Sequence, residues 1–155
     1  MKKRVHAFAG SLALLLVALF WSSTIVSELF LSSYAVVAVK RAILYGIAVL
    51  IPALIAAGGS GFALSSGRKG TLAAGKKVRM RLIALNGLLV LAPSALFLYA
   101  RAAAGQFDPA FFVVQAVELA AGAGQLVLLG RNFRDGLRLS GRLRTRPART
   151  PRMAA

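Results

Sequence analysis

The sequence predicts an all-α integral membrane protein, a four-helix transmembrane bundle of up-down-up-down topology with both termini on the cytoplasmic side. Three observations lead there. Of 155 residues, 58% are hydrophobic and only 15% are charged, where soluble domains carry about 25% charged residues. Four stretches satisfy the need for ~20 mostly apolar residues in a helix that crosses a bilayer. The basic residues, 20 against 4 acids for a net charge of +16, fall almost wholly on one side of those stretches. With a mean hydropathy of +0.72, a soluble enzyme of this size is excluded, because its core could not hide so much apolar surface. The absence of cysteine excludes a disulfide-built module, and the low charge fraction excludes a charged disordered chain.

The first predicted span, 6–31, follows the cations Lys2, Lys3 and Arg4. A basic start before an apolar run is also how a signal peptide begins. Here the run continues past Trp21 to Leu31 without a small-residue cleavage motif, so it reads as an uncleaved anchor. The second span, 42–64, is reached through a short connection, 32–41. A basic loop then carries Arg68, Lys69, Lys76, Lys77, Arg79 and Arg81 into the third span, 82–100. A second short connection, 101–108, leads to the fourth span, 109–130. None of the four shows the period-two alternation of a barrel strand, and each is too long to be one. Pro52 and Pro93 fall inside spans and are expected to kink them. Residues 1–130 thus form one bundle, and 131–155 form a basic amphipathic segment with a disordered tail.

Of all the Lys and Arg, only Lys40, Arg41 and Arg101 lie on the side away from the termini. By the positive-inside rule both ends and the middle loop are cytoplasmic, which an even number of spans permits. The compact spans and short loops point to a bacterial inner (cytoplasmic) membrane.

Polar residues within spans are the candidate functional positions, because an ionisable group at the centre of a membrane helix costs ~2.5–3.5 kcal/mol on insertion scales. Glu118 is near the middle of the fourth span. At about 100° per residue, Gln115, Glu118, Gly122 and Gln125 share one face, with Asn86 of the third span as a partner. This stripe predicts either a mid-depth site for a proton, a cation or a polar ligand, or hydrogen bonds that register the helices. Glu28, Lys40, Arg41 and Arg101 are expected to form an ion-pair cluster at the outer boundary. Ala116, Ala120 and Gly124 repeat every four residues, the small-residue spacing that lets helices approach closely. Arg131, Arg134, Arg138 and Arg142 lie on one helical stripe suited to anionic lipid headgroups. Phe133 is the one aromatic residue among them, too few for a base-stacking nucleic-acid surface.

Gly58-Gly59-Ser60-Gly61 resembles the serine motif of rhomboid intramembrane proteases, which implies pairing of Ser60 with a histidine on another membrane helix. His6 is the single histidine. The resemblance covers four residues, and the chain lacks the six-helix core of that family, so the glycines read more simply as a close-packing helix end. Gly70–Lys77 imitates a phosphate-binding loop, but Lys77 stands where the magnesium-binding hydroxyl belongs and no strand precedes it. Without cysteine or a mid-span histidine, neither a metal nor a cofactor is expected. The reading that follows is an accessory membrane protein working through helix–helix contacts, in a larger complex or a homo-oligomer, and not an enzyme. The alternatives are a proton- or cation-coupled small-solute transporter centred on Glu118 and, more remotely, an intramembrane serine hydrolase using Ser60 and His6.

Overall fold

The computed structural model describes residues 2–65 and 71–139, and these are almost entirely helical. The elements are α1 (Lys2–Phe30), α2 (Ser33–Ser65), α3 (Thr71–Asn86), a π-helical segment (Gly87–Leu91), α4 (Ala92–Ala103) and α5 (Pro109–Leu139). The segment from α3 through α4 is one continuous rod, so the chain folds as four long helices. Each contains a stretch long and apolar enough to cross a membrane: Arg4–Phe30, Ser33–Gly61, Val78–Ala103 and Pro109–Arg138. Each helix packs on its sequence neighbours, and α1 closes the ring against α5. The α3–α4 rod stands diagonally opposite α1, and α2 diagonally opposite α5.

The faces are inverted relative to a soluble bundle. Phe8, Leu15, Leu29, Tyr34, Ile55 and Val113 point outward and are exposed, while Thr24, Ser27, Lys40, Ser94, Gln115 and Gln125 are buried. In water such a continuous apolar exterior would aggregate; in lipid it is the favoured outer face, and inward polar groups can satisfy one another. Two apolar clusters bracket the interior. One joins Val36, Leu98, Ala102 and Phe111 near the hairpin end, where the α1–α2 and α4–α5 links lie. The other joins Val17, Ile83 and Leu129 towards the opposite, basic end.

Two boundaries depart from expectation. The α2 helix begins at Ser33, not at residue 42, so the connection from α1 shrinks to Leu31 and Ser32. The α3 helix begins at Thr71 and takes in much of the expected basic loop, and α5 continues past residue 130 to Leu139. Lys40 and Arg79, whose charges suggested the ends of spans, find partners inside the bundle, so the helices run on through them. The expected disordered tail, with Arg142, lies outside the described residues. Pro93 is accommodated by the π-helical segment just before it, where the Ala92 N–H bonds back five residues to the Gly87 carbonyl. The wider turn re-pairs carbonyls that the proline ring cannot serve. Around the exposed Pro52, α2 continues as helix.

The α4–α5 link is built from local signals. Gly105 takes the left-handed conformation, φ +70°, and the Gln106 and Gly105 N–H groups bond to the Arg101 and Ala102 carbonyls, which is the Schellman closure of a helix. Asp108 then caps α5, its Oδ1 accepting from the Phe111 N–H at 3.0 Å, with Pro109 following where its missing donor costs nothing. Asp108 also pairs with Arg101. Asp108→Ala is expected to lower stability by about 0.5–2 kcal/mol, read by unfolding in detergent. No loss would mean that the cap forms only weakly.

Candidate functional site

Along α5, positions 111, 115, 118, 122, 125, 129 and 132 alternate steps of four and three, the spacing of one inward face. Phe111, Gln115, Gln125, Leu129 and Asn132 on this face are buried. Along α2 the same rhythm runs through Val36, Lys40, Ile43, Ile47 and Leu50. Lys40 therefore sits on the interior stripe of its helix and is only 1% exposed. Its side chain reaches across the diagonal of the bundle to α5.

There it meets a compact set of partners. The Lys40 Nζ donates to Glu118 Oε2 at 2.8 Å and to Gln115 Oε1 at 2.5 Å. The Gln115 amide in turn donates to Glu118 Oε2 at 3.2 Å. Glu28, on the last turn of α1, places Oε1 3.9 Å from the same ammonium, and this buried oxygen has no hydrogen-bond partner. Three helices thus converge on one cation. Beside the triad is a cavity of about 70 Å³, walled by residues from all four rods including Trp21, Thr24, Ile43, Ala95 and Glu118. Its surface is almost wholly apolar.

The predicted positions are brought together differently from expectation. Gln115 and Glu118 meet Lys40, whereas Asn86 and Gln125 form a separate pair one to two turns away. The Asn86 amide donates to Gln125 Oε1 at 2.9 Å and to the Ala121 carbonyl at 3.0 Å, and Gln125 donates to the Ile83 carbonyl at 3.1 Å. Between the two pairs, Gly122 lies against Trp21, whose indole N–H donates to the Leu119 carbonyl at 3.0 Å. The expected outer cluster is divided as well. Glu28 and Lys40 are neighbours, but Arg41 is exposed and Arg101 turns to Asp108 and Gln106. The reason is the early start of α2, which carries Lys40 two turns into the helix, to the depth of Glu118.

Ala116, Ala120 and Gly124 are exposed on α5, and a side chain added at Gly124 would meet nothing within 4 Å. Close packing inside the chain uses other small residues. Ala9 and Ala13 on α1 and Ala53 and Ala57 on α2 are buried at four-residue spacing, the same small-residue pattern on two other helices. At the basic end, Arg79 donates to Asn132 Oδ1 at 2.9 Å and pairs with the buried Asp135, an interaction that sequence reasoning missed. Arg131, Arg134 and Arg138 lie on the exposed side of the same helix.

His6 does approach Ser60. Its Nδ1 is 3.3 Å from Ser60 Oγ and 2.9 Å from the Ala57 carbonyl. A carbonyl only accepts, so Nδ1 carries its proton towards α2. The Ser60 hydroxyl donates to the Ala56 carbonyl at 2.5 Å. The proton arrangement is the reverse of a serine activated by an imidazole base. Gly61 leaves room for the ring, since a Cβ there would lie 3.0 Å from His6 Cε1.

No group of three or more metal-binding side chains occurs among the described residues. Fold and site together define a small helical bundle with the features of a multi-pass membrane protein, its polar groups turned inward on a shared lysine. No known protein family, curated protein or solved structure matches the chain.

Proposed function

We propose that the protein is a structural or accessory component of a bacterial inner membrane, multi-pass with its basic end in the cytoplasm, and that it acts through helix–helix contacts. The observation that carries this reading is how completely the interior is occupied. The cavity of about 70 Å³ has room for about two waters, at ~30 Å³ each, whereas small-molecule sites run to roughly 300–1,000 Å³. The larger hollow, about 520 Å³, is an open groove between α1 and α2 bordered by the exposed Phe8, Val49 and Pro52 and lies outside the interior. The inward polar groups serve one another as clasps between helices, which supports a rigid unit. Contact with a partner then falls to the outward face, where the small residues Ala116, Ala120 and Gly124 allow another helix to come close. Arg131, Arg134 and Arg138 suit anionic headgroups or an acidic partner at the cytoplasmic surface.

Purification from native membranes in mild detergent, followed by mass spectrometry, tests the reading. A stoichiometric larger complex or a homo-oligomer is expected, and Ala120→Leu should release it while leaving the bundle folded. A monomer with no companion would overturn it.

A second reading, a proton- or cation-coupled transporter, is favoured by one observation: Lys40 reaches the depth of Glu118 and pairs with it. It requires a path enclosed between several copies. Loss of solute flux in Glu118→Gln, with assembly intact, would select it.

A further inference from the structure

The chain has four acidic residues, and their partners are unequal. Asp108 and Asp135 each have an arginine of their own, Arg101 and Arg79. Glu28 and Glu118 share Lys40. With both glutamates ionised, the triad would hold a net negative charge between helices whose outer faces are apolar. Uncompensated charge in such a place is strongly disfavoured, and two carboxylates at one site resist ionising together.

The geometry is asymmetric in a way that resolves this. Glu118 holds the ammonium at 2.8 Å and has the Gln115 amide as a second donor. Glu28 stands 3.9 Å from the same nitrogen, beyond hydrogen-bond reach, with its buried Oε1 unpartnered. A buried carboxylate oxygen needs donors, while the carbonyl oxygen of a neutral acid tolerates their absence far better. Among the described residues, Lys40 is the one cation paired with Glu28. The neighbouring hydroxyl of Ser27 donates to the Thr24 carbonyl. On α2, Arg41, Tyr34 and Tyr45 are exposed. On α4 the sole charged side chain, Arg101, is engaged with Asp108, the other acid near this end of α5. Glu28 is also two residues from the end of α1 and 13% exposed, which gives a proton a short route from the hairpin-end surface.

We propose that the Glu28–Lys40–Glu118 triad is a proton-binding site, with the proton on Glu28 and the ion pair between Lys40 and Glu118. Binding adds one proton to the Glu28 carboxylate and leaves the ammonium charged, so the triad becomes neutral. Release creates a second carboxylate that competes for Lys40 and draws it from α5 towards α1. Proton occupancy therefore decides which helix the lysine clasps. This assignment does not depend on the accessory reading above.

Infrared spectroscopy of the purified full chain tests it, helped by the small number of carboxyl groups. At neutral pH the wild type should show the carbonyl stretch of a protonated carboxylic acid, shifting on deuterium exchange and fading as the pH is raised. Glu28→Gln should abolish the band. Glu118→Gln should abolish it too, because Lys40 then pairs with an ionised Glu28. Lys40→Gln should roughly double it. Helix content from the same spectra reports whether each variant is folded, and the wild-type titration is decisive even if a variant is not. Absence of the band in the wild type at neutral pH, its appearance only when sodium and potassium are removed, or its survival in a folded Glu28→Gln variant would overturn the proposal.

Discussion

Lys40→Met is expected to lower the stability of the folded bundle by about 3–5 kcal/mol, the usual consequence of removing one partner from a buried ion pair. Lys40 is almost fully buried, and without it Glu118 and Gln115 keep their places on α5 with no cation to meet. Replacing both members, Lys40→Met with Glu118→Met, should recover most of the stability, since apolar residues of similar size often substitute for a buried pair at little cost. Detergent-denaturant titration of the two single variants and the double variant, analysed as a double-mutant cycle, measures the coupling. A Lys40→Met variant within about 0.5 kcal/mol of wild type, the range of ordinary surface substitutions, would mean that the lysine does not occupy the interior.

The second large effect is expected at Gly122, two residues from a glycine where the same change should do little. A Cβ on Gly122 would lie 2.9 Å from Trp21 Cδ1, so Gly122→Leu must displace the indole and its bond to the Leu119 carbonyl. Overpacking of a filled interior costs about 1–3 kcal/mol, occasionally more. Gly124 faces outward with open space around it, so Gly124→Leu should leave the isolated bundle's stability unchanged within about 0.5 kcal/mol. Trp21 fluorescence should shift in the first variant and stay constant in the second, and equal losses would refute this packing. If the accessory reading holds, Gly124→Leu also weakens association with the partner, an effect visible in co-purification and not in unfolding.

Much of this was legible in the sequence, and what escaped has an identifiable physical reason. The existence of four long apolar helices follows from composition and length, and the inward face of α5 follows from the spacing of Gln115, Glu118, Gly122 and Gln125. The stripe 36, 40, 43, 47, 50 on α2 carried Lys40 in plain view. A charge that close to an apolar run suggests its boundary, because the isolated cost of burying a lysine exceeds that of ending a helix early. The carboxylates on two other helices reverse that balance, and no local rule reports them. Arg79 repeats the lesson: its charge suggests a loop, until the buried Asp135 of α5 becomes the reason it is tolerated inside.

What the sequence determined by itself is whatever depends on residues near one another along the chain: helix number, the short link 101–108 between the last two spans, and the polar stripe of α5. What only the tertiary structure decided is which polar group answers which. Lys40 joins Glu118 across the diagonal, Asn86 joins Gln125, and the small residues at 9, 13, 53 and 57 do the inner packing while those at 116, 120 and 124 face out. The physical reason is that a helix's own sequence sets its period and its apolar face. The worth of a buried charge depends instead on groups from other helices, brought within about 4 Å only when the bundle closes.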